Sequence, residues 1–516
     1  MNIPAILACD GYKTSHRKQY NPSTELVYST WVPRKSRLKG VDKVVFFGLQ
    51  AFIKDYLIDS FNNTFFNRPK EGVIQEFKRV MKHYSGDTDT EHWEALHNLG
   101  YLPLRIDALE EGTLCPIRVP MFTIQNTKPE FYWLTNFVET IMSTEIWKPM
   151  TSATIALEYR KILNKWADKT CDDNTFMDYQ AHDFSLRGMA GLDAGLSSGA
   201  GHLLSFKGSD TIPAILWLEK YYNADITKEV IANGIAGSEH SVQETNILNA
   251  DRGNKLEGEY QNLKYFLTEL YPTGTFSYVA DTYNLWDCIT KALPRLKDEI
   301  LSRDGKLVIR PDSGDPCDII CGLNTSDKDP VDSRYSTEVN KGTVELLWDI
   351  FGGTINSKGY KVLDKHIGAI YGDAITLERA DEICRRLEQK GFASSNVNLG
   401  VGSYTYNMNT RDTFGFALKT TYAKVDGKEL MLFKDPITDD GTKKSNKAMV
   451  VVTKDLETGE LICLDCLNQA DKDSFKEIDL LKPVFKDGVL LRDENLSDIR
   501  QRVLSQVNTK VLSPLT

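Results

Sequence analysis

The clearest periodic signal lies in "TLERADEICRRLEQKG", where Leu377, Ala380, Ile383 and Leu387 recur at helical spacing. Thr376 stands where an N-cap belongs and Gly391 follows the last periodic turn, so the pattern predicts a helix bounded at both ends. From about residue 150 to 408, helical stretches alternate with short apolar runs: "DYQAH", "TFSYVA", "KLVIR", "IGAIY" and "NVNL". That rhythm predicts βα units and a parallel sheet. The flanks read differently. Between about 25 and 127, strand-like runs ("ELVYSTWV", "LPLRIDAL", "MFTIQN") mix with helices, and from about 410 to 492 the pattern is hairpins. "FALKTTYAKV-DG-KELMLF" sets an Asp-Gly turn between two strand-type runs, and "KAMVVVTKDLETGELICL" and "KPVFKDGVLL" repeat the idea. The expected architecture is α/β. A (β/α) barrel domain spans 150–408, and a mostly antiparallel, sheet-containing α+β domain is built from both chain ends, 1–149 and 409–516. The hydrophilic stretch 324–342 reads as a solvated surface insertion.

Composition narrows the function. The net charge of −10 argues against a general nucleic-acid or anionic-membrane surface, so cations for a phosphorylated ligand must be concentrated locally. No run is long and apolar enough to span a bilayer. The opening "MNIPAILACDGYK" lacks the basic leader of a signal peptide. Nine scattered cysteines read as reduced thiols, and the expected location is cytoplasmic. Cys463 and Cys466 form a lone C-x-x-C, short of the ligands that zinc needs.

The chemistry gathers where the middle strands end. "TFSYVA" runs into Asp281, "KLVIR" into Pro311-Asp312-Ser313-Gly314, "IGAIY" into Gly372-Asp373, "NVNL" into Gly400-Val401-Gly402-Ser403, and "DYQAH" into Asp183-Phe184. Parallel strands of a barrel converge at their C-terminal ends, so these acids and glycines fall around one pocket. Aspartates suit sugar hydroxyls and Mg²⁺. Gly-x-Gly-Ser before a helix offers backbone N–H groups to phosphate, and Arg310 can fork onto phosphate or carbonyl oxygens. Singly, each motif is most often only a turn; the case rests on several sharing one end. His240, one of eight histidines, sits in "NGIAGSEHSVQET" beside Glu239, after the small residues Gly234, Ala236 and Gly237. A structural histidine normally has bulky apolar neighbours, whereas a reacting one needs room. A carboxylate on one ring nitrogen makes the other a better nucleophile, and Glu239 and Asp281 are both candidates for that acid.

Nine stretches in order ("CDGYKTSHRKQYNP", "FYWLTNFVET", "HDFSLRG", "FKGSDT", "EHS", "IRPDSGDP", "SKGYKVL", "YGD" and "LFKDP") resemble the nicotinamide phosphoribosyltransferase family, to about residue 490. The resemblance implies a type II phosphoribosyltransferase fold and a homodimer with active sites at the subunit interface. It implies transfer of a phosphoribosyl group from phosphoribosyl pyrophosphate to nicotinamide, a Mg²⁺ requirement with the ion held mainly by pyrophosphate, and ATP hydrolysis coupled through phosphorylated His240. By position, Phe184 and the other subunit's Tyr12, with Asp10 near it, flank the base, and Arg187 lines the slot. Arg310 meets the ring's amide oxygen or the pyrophosphate. Asp210 accepts from the carboxamide, Asp312 holds the ribose, and Asp281 lies near His240. Gly372, Asp373, Gly402 and Ser403 cradle the 5′-phosphate. Arg34, Arg411, Lys419 and Lys434 handle ATP or pyrophosphate.

Two positions depart from the family pattern: "GVGSYTY" replaces a Gly-Ser-Gly-Gly-Gly turn, and Gly234 stands where serine is frequent. The neighbouring alternative is nicotinate phosphoribosyltransferase. A metal-dependent sugar-phosphate lyase or isomerase on a barrel explains the strand-end acids but not the paired aromatics. A non-enzymatic binding protein would not need the acids at all.

Overall fold

The computed structural model describes residues 3–323, 334–372, 374–434, 437–438 and 445–507. The chain forms two compact units: Met1–Thr154 with Trp217–Ala224 and Asn409–Thr516, and Ile155–Leu216 with Asp225–Met408.

In the first unit a seven-stranded sheet runs in the order Lys428–Met431, Ala417–Val425, Thr24–Val32, Phe122–Asn126, Leu104–Ala108, Lys482–Lys486, Val489–Leu490. Every pairing is antiparallel, so strands from both chain ends interleave in one sheet. The Asp-Gly turn forms as expected: Asp426 and Gly427 take φ of 51° and 71°, the pair of positive angles that a two-residue hairpin with right-handed strand twist requires. Trp31 is fully buried and stacks on Phe122 and Phe416 at centroid distances of 5.7 and 5.6 Å. The hairpin Met449–Lys454/Leu461–Leu467 does not join this sheet and forms a two-stranded sheet of its own.

In the second unit a seven-stranded sheet is parallel throughout, in the order Gly208–Ser209, Ala181–Asp183, Val397–Val401, Ile367–Tyr371, Asp304–Arg310, Thr273–Val279, Ala236–Gly237. The two edges meet. Asn233, just before Ala236, makes a parallel bridge to Gly208, its N–H donating to Lys207 O at 2.6 Å while its carbonyl accepts from Ser209 N–H at 3.1 Å. The ring therefore closes, and all seven C-terminal ends share one rim. Outside it, Leu377–Gln389 is the helix that the periodicity predicts. Thr376 caps it, and Ala380, Ile383, Cys384 and Leu387 are buried. Of the expected insertion, 324–333 lie outside the described residues. From Thr337 the chain is helical with Asn340 and Thr343 buried, so the solvated reading does not hold there. The Lys390 ammonium explains the burial: it donates to the carbonyls of Cys321 and Lys341, each at 2.8 Å, pinning this segment to the helix behind it.

Glu111 is the polar pin of the first unit. Its fully enclosed carboxylate accepts from Gln50 N–H at 2.6 Å, Gly48 N–H at 2.9 Å and Tyr222 O–H at 2.8 Å. Burial and the nearby Glu494 push its pKa up to about 7. Glu111→Ala strands three buried donors and should cost on the order of 3 kcal/mol. Urea unfolding checks this; a loss below about 1 kcal/mol would show that water or rearrangement satisfies them.

Candidate functional site

Seven strand ends define the rim, and two buried carboxylates organise it. Asp281 follows Thr273–Val279 with its side chain 5% exposed. Its Oδ1 is 3.1 Å from His240 Nε2, and its Oδ2 accepts from Asp312 N–H at 3.1 Å and Ser313 O–H at 2.5 Å. A carboxylate can only accept here, so Nε2 carries hydrogen, and in the neutral ring Nδ1 holds the lone pair. The His240 side chain is 40% exposed, which leaves that lone pair room to react. Of the two acids considered for this histidine, Asp281 is the one on the ring. Glu239 is the N-cap of helix His240–Ala250, accepting from the N–H groups of Ser241 and Val242 and from the Ser241 hydroxyl, which hold its pKa down. Those bonds turn its carboxylate to the helix N-terminus, so the orienting role passes to Asp281.

Asp183 is the second organiser and is fully buried. It accepts from Ser185 N–H at 2.9 Å and Thr211 O–H at 2.7 Å, joining the turn that carries Phe184 to the turn that carries Asp210. Asp210 N–H also donates to Asp183 O at 2.9 Å. Asp210 Oδ1 meets His182 Nε2 at 2.8 Å, and the His182 and Phe184 rings lie 4.5 Å apart at 34°. Gly234 belongs to this corner, because a Cβ there would stand 3.5 Å from Asp210 Oδ1. The departure from serine thus falls beside Asp210.

Arg310 ends its strand with Nη2 donating to Ser238 O at 2.8 Å. Its buried Nε has no hydrogen-bond partner, an unusual state for guanidinium nitrogen and one that an incoming oxygen would relieve. Gly372 lies close against Asp312: a Cβ there would stand 2.3 Å from Asp312 Oδ1 as that side chain is placed. Gly402 caps the short helix Ser403–Asn407, and a Cβ on Gly188 would come within 2.1 Å of Ser403 Oγ. Arg187, in the turn Leu186–Gly188, is exposed. Asp373 lies outside the described residues.

Behind His240 runs a buried polar chain. Ser238 Oγ accepts from Val279 N–H and from Gln243 Nε2, each at 2.8 Å. Gln243 Oε1 accepts from Asn262 Nδ2, which is also 3.1 Å from the Tyr278 hydroxyl; that hydroxyl donates to Glu259 at 2.7 Å. Burial pushes the Glu259 pKa up to about 7.

The first unit holds the remaining expected residues. Tyr12 is 60% exposed at the start of helix Lys13–Gln19 and packs edge-on against His16. Asp10 accepts from the Thr140 hydroxyl at 2.9 Å. Arg34, Lys419 and Arg118 line a cavity of about 150 Å³ together with Thr30, Ser445 and Asp465. Burial lowers the Lys419 pKa, Glu139 raises it, and the neighbouring charges of Arg34, Lys434 and Lys13 lower it further. Arg411 lies apart from this lining, in the turn Arg411–Thr413. Arg118 is a cation that the sequence reading missed; its φ of 74° places a non-glycine residue in left-handed backbone on the cavity wall.

A family model described as the nicotinate phosphoribosyltransferase (NAPRTase) family matches residues 179–488. The model for the nicotinamide phosphoribosyltransferase N-terminal domain matches residues 4–106. The nicotinamide phosphoribosyltransferase of Acinetobacter baylyi is 44% identical over 520 residues, covering 98% of this chain and 98% of the relative. That of Mycoplasma pneumoniae is 36% identical over 465 residues, covering 86% and 94%. Among solved structures, nicotinate-nucleotide pyrophosphorylase from Pyrococcus furiosus aligns with a TM-score of 0.54 at 14% identity, covering 98% of this chain and 95% of that one, a likeness of fold.

Glu259 generates a pH prediction. Its folded pKa, about 7, lies above its ordinary 4.5, so the folded state holds the proton more tightly than the unfolded chain. The resulting stability is full below the ordinary value, falls as pH rises through the interval, and is lost above about 7. The swing is about 3 kcal/mol. In Glu259→Gln the difference between urea-derived stabilities at acid and alkaline pH should shrink by that amount. An unchanged difference would place the titration elsewhere.

Proposed function

Because the chain belongs to the nicotinamide phosphoribosyltransferase family, we propose that it transfers the phosphoribosyl group of phosphoribosyl pyrophosphate to nicotinamide, giving nicotinamide mononucleotide and pyrophosphate. The observation that carries the choice of base is Asp210: a carboxylate with a 58% exposed side chain, tied to the corner that also holds Phe184. Nicotinamide offers that acid an N–H donor. Nicotinate offers a second carboxylate, a like-charge contact costing several kcal/mol when desolvated. The nicotinate enzyme is therefore the second reading.

In the proposed reaction the ring nitrogen of nicotinamide bonds to ribose C1 as the bond from C1 to pyrophosphate breaks. The sugar is cation-like between the two. Phe184 and Arg187 hold the base, with Tyr12 of a second copy as the opposite face in a homodimer. Arg310 meets the amide oxygen or the leaving group. Asp312 holds the ribose hydroxyls, while Gly372, Asp373, Gly402 and Ser403 receive the 5′-phosphate. Arg34, Lys419 and Lys434, with Arg411, answer the polyphosphate of ATP or pyrophosphate. Among the described residues no group of three or more His, Cys, Asp or Glu side chains is arranged to hold a metal. In this reading Mg²⁺ arrives with the pyrophosphate, and the Asp281 and Asp312 carboxylates are the hard oxygen donors near it. The ion would supply neutralisation of the leaving pyrophosphate.

ATP enters through His240. Its Nδ1, made nucleophilic by the Asp281 contact on Nε2, accepts the γ-phosphoryl group as ADP leaves, and water later releases phosphate. The phosphorylated ring adds a dianion that organises the pyrophosphate end of the site.

Product formation from phosphoribosyl pyrophosphate and Mg²⁺, with nicotinamide or nicotinic acid, each with and without ATP, tests the assignment. Product from the amide, increased by ATP, is expected; product mainly from the acid moves the chain to the second reading. His240→Ala should abolish the increase with ATP yet keep basal transfer, and equal stimulation in that variant would remove the phosphohistidine. Asp210→Asn should relax the preference for the amide at least tenfold, since the like-charge contact is worth several kcal/mol. Unchanged selectivity would remove Asp210 from base choice.

A further inference from the structure

His182 touches two walls of the proposed base slot and belongs to neither. We infer that His182 is the positioning residue for base selectivity: its Nε2–H fixes the rotamer of Asp210 while its ring backs Phe184. This rests on the reading of Asp210 as the carboxamide acceptor and deepens it.

The geometry is specific. Asp210 has an exposed side chain on a turn, and such a side chain rotates freely unless held. The hold comes from His182, whose own side chain is 11% exposed and whose Nε2 lies 2.8 Å from Asp210 Oδ1. A carboxylate only accepts, so that nitrogen donates. With Oδ1 engaged, Oδ2 has no hydrogen-bond partner among the described residues and is the oxygen presented to a ligand. The ring cannot drift. On one side Phe184 packs 4.5 Å away at 34°. At its Nδ1 edge lies Gly208, where a Cβ would come within 2.8 Å of that nitrogen. Gly208 is thus bare because the imidazole occupies the space its side chain would fill. The strand pairing His182↔Gly208 fixes both partners in register.

The consequence concerns discrimination more than binding. A carboxylate free to swing can turn away from an incoming carboxylate and spare the enzyme the repulsion. A carboxylate held at Oδ1 cannot. Losing the hold should let nicotinic acid in while costing nicotinamide comparatively little. A hydrogen bond to a charged group is worth about ten- to a hundredfold, and the selectivity ratio should move within that range.

The test measures kcat and KM for both bases, at saturating phosphoribosyl pyrophosphate, in the full chain and in His182→Leu, His182→Gln, Gly208→Ala and Asp210→Asn, with thermal melts to confirm folding. Glutamine places an N–H near the position of Nε2. The expected result is a ratio of amide to acid kcat/KM that falls at least tenfold in His182→Leu, mostly through a lower KM for the acid, and is restored in His182→Gln. Gly208→Ala, which displaces the ring without removing it, should behave like His182→Leu, and it carries the test should the leucine variant not fold. If Asp210→Asn relaxes selectivity while His182→Leu and Gly208→Ala slow both bases equally, His182 is only structural and the inference is overturned. If Asp210→Asn leaves selectivity unchanged, the reading of Asp210 fails and takes this inference with it.

Discussion

A ring of parallel strands delivers all its C-terminal ends to one rim, where backbone N–H groups and turn hydroxyls leave the ladder and still need partners. Here two buried carboxylates answer that need. Asp183 joins the turns after two neighbouring strands, and Asp281 joins the turn after Asp304–Arg310 to the histidine after Ala236–Gly237. Burying an acid is costly unless it is fully hydrogen-bonded, and each is bonded through both oxygens. The rest of the site depends on this arrangement. His240 and Asp210 keep exposed side chains above the backbone that Asp281 and Asp183 hold.

The same economy of partners explains how His240 is held from behind. Ser238 receives three bonds, to its hydroxyl from Val279 and Gln243 and to its carbonyl from Arg310, and it lies two residues before His240. Its position is therefore shared among a strand, a helix and the arginine of the rim. The chain of amides and hydroxyls continues to Glu259, a buried acid with a raised pKa. A network of this kind resists small displacements because moving one member strands another.

Much of this was legible in the sequence, for reasons that differ by element. The helix Leu377–Gln389 and the Asp-Gly hairpin carry local signals, a period with caps and a pair of residues tolerant of positive φ, and both formed as expected. The strand-end acids were legible because five strands were long enough to recognise and share one direction. The strands Gly208–Ser209 and Ala236–Gly237, two residues each, have no period to detect, yet they close the ring. The pairing of His240 with Asp281 in place of its neighbour Glu239 was open from sequence alone. Adjacent residues at a helix start point apart, and a carboxylate at an N-cap is drawn to the free N–H groups of the first turn. His182 and Arg118 escaped notice because their meaning comes from what lies across a strand or a cavity, not from what lies beside them in the chain.

The charge distribution supplies the last step. A chain with a net charge of −10 does not attract polyanions by its overall field. Its cations must do so at short range, and in the first unit Arg34, Arg118 and Lys419 crowd one small cavity, with Lys434 close enough to act on Lys419. Like charges held together repel, and part-burial removes the water that would screen them; the lowered pKa of Lys419 is the trace of both. A phosphate group bound there would favour the charged form of Lys419. In the proposed function ATP or pyrophosphate meets cations gathered at one place, so a protein that is acidic overall can still discriminate for a triphosphate over a neutral molecule of the same size.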